Sequence, residues 1–155
     1  MIELLIRDTE PTDVRLIYND LSEDGFNLKE SYNTYHASIQ AAIELGETCT
    51  LAKLEDGVET VLGVFSILPL YSETGFLVSF LTNESKQYLL KATHLLKLTL
   101  SVIAKLCKYK TITADVCTRY PKYINWAKKY GFKPNGLVTY SEISSNQFLR
   151  MSYGV

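Results

Sequence analysis

The stretch from Thr74 to Pro134 limits the fold of this chain more than any other. It opens with a β-like run, TGFLVSFLT (Thr74–Thr82). Leu89, Ala92, Leu96, Leu100, Ile103 and Cys107 then recur at three- and four-residue steps. That spacing predicts a long amphipathic helix over about Glu84 to Lys108 with one inward stripe, and its polar positions are mostly basic. TITADVCT follows as a strand poor in charge, as expected for a central buried one. RYPKYINWAKKY predicts a short helix with Tyr120, Tyr123, Ile124 and Ala127 inward. Gly131 supplies its left-handed stop, Phe132 packs back, and Pro134 forbids continuation.

The flanks complete the order. IELLIRD (Ile2–Asp8) predicts a first strand, and TEPTDVRLIYNDLSED a helix with Thr9 as cap, Pro11 in the first turn, and Val14, Leu16, Ile17 and Leu21 helically spaced until Gly25. Leu28 to Leu45 predicts a second helix carrying Tyr32, Tyr35, Ile39, Ala42 and Ile43 on one side, stopped by Gly46. ETCTLAKLED and ETVLGVFSILPL flank an Asp56-Gly57 hairpin turn. GLVTYSEI and QFLRMSYGV, joined by SSN, predict two closing strands. The order is β-α-α-β-β-β-α-β-α-β-β. Strands alternate with helices only in the second half, so a mixed sheet of about seven strands with about four helices is expected, an α/β (α+β) fold.

At 155 residues the chain is one domain by length, 1–155, and can bury a core. No apolar run is long and uncharged enough for a membrane span, so no membrane partner is expected. The first residues, MIELLIRDTEP, carry acids where a secretion signal needs basic residues, and Cys49, Cys107 and Cys117 have neither disulfide nor zinc spacing; a cytoplasmic location is expected. His36 and His94 lack partners at ligand spacing, so no metal is expected. The net charge of −1 conceals a segregation: Lys86 to Lys133 holds eleven lysines or arginines against Asp115 alone, a local +10 that leaves −11 elsewhere. Such a segment creates a positive field if its residues share a face, and otherwise solvates two helices. Tyrosines and Trp126 interleave with these cations, but they also suit helix cores, so nucleic acid is the less favoured partner.

The element order, strongest from Thr74 to the Gly131-Phe132 pair that ends the last helix, resembles the Gcn5-related N-acetyltransferase (GNAT) superfamily over essentially the whole chain. The resemblance implies acetyl transfer from acetyl-CoA to a protein or small amine. It also implies acyl-CoA binding in a splay between the fourth and fifth strands, with the pyrophosphate on backbone N–H groups ahead of the long helix. Phe80, Leu81, Thr82, Lys86, Gln87, Tyr88 and Lys91 are the cofactor-binding positions this implies. Two departures stand out. The family's glycine-bearing phosphate loop corresponds to LTNESKQYLLKATHLL, which has no glycine, and Glu84 adds a negative charge there. The frequent general-acid tyrosine, four residues before Gly131, falls on Ala127. The glycine-free loop and basic helix are similar to the acetyltransferase-like internal virion proteins of T7-like bacteriophages. That likeness implies a phage-encoded protein in host cytoplasm or virion, and another viral or host protein as partner.

Acyl transfer needs a base, an oxyanion donor and a proton for the thiolate. Glu73 and Glu142 are candidate bases, Val78 to Leu81 candidate oxyanion amides if the strand bulges, and Tyr130 and Tyr140 candidate acids. A non-catalytic member of the same fold, with the splay plugged by Tyr88 or Trp126, is the alternative.

Overall fold

The structure, a computed structural model, describes residues 1–142 and 144–155. In chain order the elements are β1 (Ile2–Arg7), α1 (Pro11–Asn19), α2 (Tyr32–Leu45), β2 (Glu47–Glu55), β3 (Val58–Tyr71), β4 (Thr74–Leu81), α3 (Leu89–Leu106), β5 (Thr111–Cys117), α4 (Pro121–Tyr130), β6 (Lys133–Thr139) and β7 (Gln147–Gly154). Short 3-10 turns cover Leu28–Glu30 and Glu84–Gln87. The strands form one sheet in the order β1-β2-β3-β4-β5-β7-β6. All its ladders are antiparallel except β4 with β5, the pair joined through α3. This is the mixed sheet expected from the sequence.

Alternation along β4 and along β3, reset in β3 by a bulge at Leu62 where Gly63 pairs with Leu51 and Val61 with Ala52, divides the interior into two layers. Leu62, Phe65, Ile67, Leu77 and Leu81 face α3 and α4, meeting Leu89, Ala92, Leu96 and Ala127. Val61, Val64 and Phe80 face α1 and α2, meeting Val14, Ile17, Tyr35 and Ile39. On this second side the fully buried Asp13 is held by Arg7 at 2.8 Å, by the Glu10 N–H at 2.8 Å and by the Thr50 hydroxyl at 2.9 Å. Desolvation pushes its carboxyl up, but these hydrogen bonds together hold it below the ordinary range.

Several local expectations are corrected. Asp13 caps α1 through Glu10 in place of Thr9, and Leu16 is 51% exposed. The first helix stops at Asn19 because the chain leaves it to bridge Leu21 to Thr82. The second helix begins only at Tyr32: Ser31 is extended and its hydroxyl accepts from the Thr34 N–H. Tyr32 is exposed, and Tyr88 separates a 3-10 turn from α3, whose stripe ends in Ala104 with Ile103 and Cys107 only half-buried. The last ladder starts at Lys133 and includes Pro134, tolerated because β6 is an edge strand with an irregular register between Pro134 and Gly136. The Ile143 end of the expected GLVTYSEI strand lies outside the described residues; β6 itself stops at Thr139. Asp56 and Gly57 both take positive φ in the expected hairpin turn.

A wedge through the sheet as candidate active site

β4 and β5 pair at only three positions, Thr74 with Thr111, Gly75 with Ile112 and Phe76 with Thr113. Beyond Phe76 and Thr113 they diverge, leaving backbone N–H and C=O groups on the facing edges without a strand partner. The opening is a cavity of about 460 Å³ between Leu77–Leu81 and Ala114–Cys117. Because Ala114 and Val116 line the gap, the middle of β5 is half-buried, not enclosed as a central strand would be. Tyr120, just ahead of α4, and Tyr123 and Trp126 of α4 border this wedge and also a second cavity of about 470 Å³ on the α3/α4 side. The two spaces share these three aromatics at the wedge margin.

The second cavity is a cationic groove. Lys86, Arg119, Lys122 and Lys129 line it with Leu89 and Leu90 of the first turn of α3. None of the four cations has a carboxylate partner among the described residues. No side chain caps α3, so its first N–H groups add positive potential beside them. The segregated charge of the sequence therefore reaches one face in part. Other members are spent elsewhere: Lys97 lies over the Tyr130 and Tyr153 rings at 5.9 and 5.2 Å.

The corner between β4 and α3, where the resemblance implies phosphate-cradling amides, is already satisfied. The Thr82 N–H bonds Leu62 O at 3.0 Å, Asn83 N–H bonds Asp20 O at 2.8 Å, and Ser85 N–H bonds Thr82 O at 3.2 Å. The Glu84 N–H donates to the Asp20 carboxylate at 3.1 Å, and the Asn83 amide donates to the other Asp20 oxygen at 3.2 Å. An internal carboxylate thus takes donors an anion could use. Glu84, the wrong-signed charge, is turned to Lys53 at 2.7 Å.

On the opposite side of the sheet, residues 20–27 form a strap across the open end of the wedge. Ser22 N–H donates to Leu81 O at 2.9 Å. The Gly25 carbonyl accepts from the Ser144 hydroxyl and, at 3.0 Å, from Asn146 Nδ2. Phe26 stacks on Phe148 with ring centroids 4.6 Å apart. Glycine is needed at 25 because a Cβ there would meet the Phe148 ring at 2.7 Å. Glu23 and Asp24 of the strap line the wedge. Asp24 Oδ1 accepts the Phe26 N–H at 2.7 Å, yet burial outweighs that bond and pushes its carboxyl up. Asp115, also in the lining, is fixed by Arg150 at 2.9 Å and by the Tyr140 hydroxyl.

Of the residues singled out from sequence, Phe80 and Leu81 line the wedge and Lys86 lines the groove. Thr82 is spent inside the corner, its hydroxyl bonded to Leu62 O at 3.0 Å. Gln87 and Lys91 are exposed and line neither cavity; Tyr88 is buried with Lys53 5.4 Å from its ring centre. Tyr88 therefore does not plug the splay, and Trp126 borders it while donating to Leu89 O and Thr93 Oγ1. Glu73 sits at the closed end of the wedge, with positive φ and an exposed pairing to Lys110 at 3.2 Å. Glu142 is exposed after β6 and lines neither cavity. Tyr130 is buried against Phe132 and Tyr153, and burial pushes its hydroxyl well above the ordinary tyrosine range. No bulge interrupts Val78 to Leu81, whose register against β3 is continuous.

Sequence reasoning missed Tyr123 as a site residue. It lies one helical turn before Ala127, so both point into the wedge. Its hydroxyl donates to Ser22 Oγ at 3.4 Å, and burial raises its pKa. The i, i+4 spacing from Ala127 was the available signal.

The sheet order and the wedge between its parallel strands define the GNAT acyl-CoA N-acyltransferase fold. The solved structures similar to this chain include a protein provisionally described as a phosphinothricin N-acetyltransferase, with TM-score 0.71, 14% identity and 99% of each chain covered. They also include spermidine/spermine N-acetyltransferase SpeG from Vibrio cholerae, with TM-score 0.66, 16% identity, and 98% of this chain and 92% of that one covered. A chimera of the Vibrio cholerae enzyme has TM-score 0.69 at 16% identity, over 97% of this chain and 95% of that one. No family model and no curated protein matches the chain by sequence. Neither the named neighbours nor the fold bears on the phage likeness.

Proposed function

We propose that this protein is an acyl-CoA-dependent N-acyltransferase that moves an acetyl group from acetyl-CoA to an amine. The observation that carries this reading is the wedge itself, with an unpaired cationic groove on its α3/α4 side and uncompensated carboxylates on its strap side. Lys86, Arg119, Lys122 and Lys129, with the first turn of α3, would hold the nucleotide phosphates. Because the corner amides are occupied, side chains carry more of that binding than backbone does. Acetyl-CoA supplies the thioester, an acyl carbon bonded to a thiolate leaving group. The unpartnered β4 edge offers N–H donors for charge developing on the acyl oxygen. In the net reaction the ammonium loses one proton through strap carboxylates and water, the freed amine nitrogen forms the amide C–N bond as the thioester C–S bond breaks, and the nitrogen loses a second proton by the same route as the amide forms. Tyr123 delivers a proton to the departing sulfur and is replenished from solvent.

Titration calorimetry and thermal shift with acetyl-CoA test the reading. Binding that weakens with salt is expected; no heat and no shift at millimolar concentration would remove it. The second reading, a non-catalytic protein of this fold, draws support from the satisfied corner amides and from Ala127. It predicts that same silence.

A further inference from the structure

The strap side of the wedge narrows the acceptor. We propose that it is a primary amine with one ammonium group on an apolar body, in contrast to a polyamine; the proposal rests on the acyl-transfer reading. The trough running from the strap beneath α2 is walled by Leu28, Ala42, Leu45, Leu68, Val78 and Phe80. Its polar exceptions are the uncharged hydroxyls of Thr34, Ser38 and Ser79, of which Ser38 donates to Thr34 O at 2.9 Å. Of the carboxylates lining the wedge, Asp115 is already neutralised by Arg150, and its side chain is 2% exposed.

That leaves Glu23 and Asp24, adjacent on the strap and without a cation partner among the described residues. Both carboxylates lie at one end of an apolar trough, so the charge that can meet an ammonium is confined to that end. A second or third ammonium further along would be stripped of water against aliphatic walls with no counter-charge. The apolar body gains instead by leaving water at those walls. The ammonium end lies next to the wedge, where its nitrogen sheds one proton, gains the acyl carbon as the thioester C–S bond breaks, and loses a second proton as the amide forms and the sulfur leaves as thiol.

The experiment is thiol release from acetyl-CoA by the full chain with 2-phenylethylamine, hexylamine or spermidine. The expected kcat/KM is about 100-fold higher for the two monoamines, a gap of the size a desolvated charge imposes on specificity. Spermidine used equally well or better overturns the proposal and leaves acyl transfer standing. No thiol release with any amine overturns acyl transfer and this proposal with it. The Glu23→Gln variant, altered at an exposed position, is expected to raise KM for 2-phenylethylamine about tenfold with acetyl-CoA affinity unchanged; an unchanged KM overturns the placement of the ammonium.

Discussion

On the α3/α4 side of the wedge, Lys86, Arg119, Lys122 and Lys129 surround an open groove without carboxylate partners, whereas on the strap side Asp115 is locked to Arg150 and Asp24 is tied to its own loop. The difference separates two kinds of recognition. Exposed cations attract anions over a distance set by ionic strength, and they tolerate imprecise seating. A half-buried carboxylate beside an apolar trough demands a partner of matching position. The first side suits the polyanionic end of a nucleotide carrier, the second a small cation with a greasy body.

Tyr123 stands where the two sides meet, and changing it gives the largest expected effect. Tyr123→Phe removes the hydroxyl and keeps the ring, so kcat should fall about 100-fold with KM for acetyl-CoA held. The sign of the pH effect follows from burial, which raises the tyrosine pKa. The protonated form is the donor, so its contribution persists as pH rises through the ordinary tyrosine value near 10 and is lost only above it. A pH–kcat profile should show that alkaline fall in the wild type and lack it in the variant. If kcat is unchanged, the two sides do not share a proton donor at this position.

The sequence revealed the frame of this site more readily than its contents. Period-2 and period-3.6 patterns located nearly every element, because each pattern is local and each element buries one face. Lys86, Phe80 and Leu81 came from the family resemblance, and they line the cavities because they flank the end of β4. Glu73 and Tyr130 were not brought to the cleft. Strand-end carboxylates and helix tyrosines look alike in sequence whether they face solvent, core or substrate. The strap was invisible because its bonds are long-range, as between Asp20 and Glu84, 64 residues apart. No local pattern specifies that an aspartate after one helix will cap the corner before another.

Charge reversal on the groove side has the next largest effect. Lys122→Glu with Lys129→Glu should weaken acetyl-CoA binding by about 30-fold at low salt, roughly 2 kcal/mol, and flatten its salt dependence. Both residues are exposed, so thermal stability should hold. Amine KM at saturating acetyl-CoA should not move. A loss shared equally by both substrates would erase the contrast between the two sides.

The smallest effect, and the one that tests the satisfied corner, runs the other way. Asp20→Ala frees the Glu84 N–H and the Asn83 side-chain amide and removes a negative charge from the β4–α3 corner. If the carboxylate competes with phosphate for those donors, acetyl-CoA affinity should rise about threefold, measured by calorimetry. The variant loses hydrogen bonds that pin the strap, so stability should drop by about 1 kcal/mol in denaturant unfolding. Asp20→Asn retains an acceptor without the charge and should fall between wild type and Asp20→Ala in both measurements. A drop in affinity together with the drop in stability means that Asp20 builds the binding corner and does not obstruct it. In that case the groove cations depend on a correctly held strap, and the two sides of the wedge are coupled through residues 20–27.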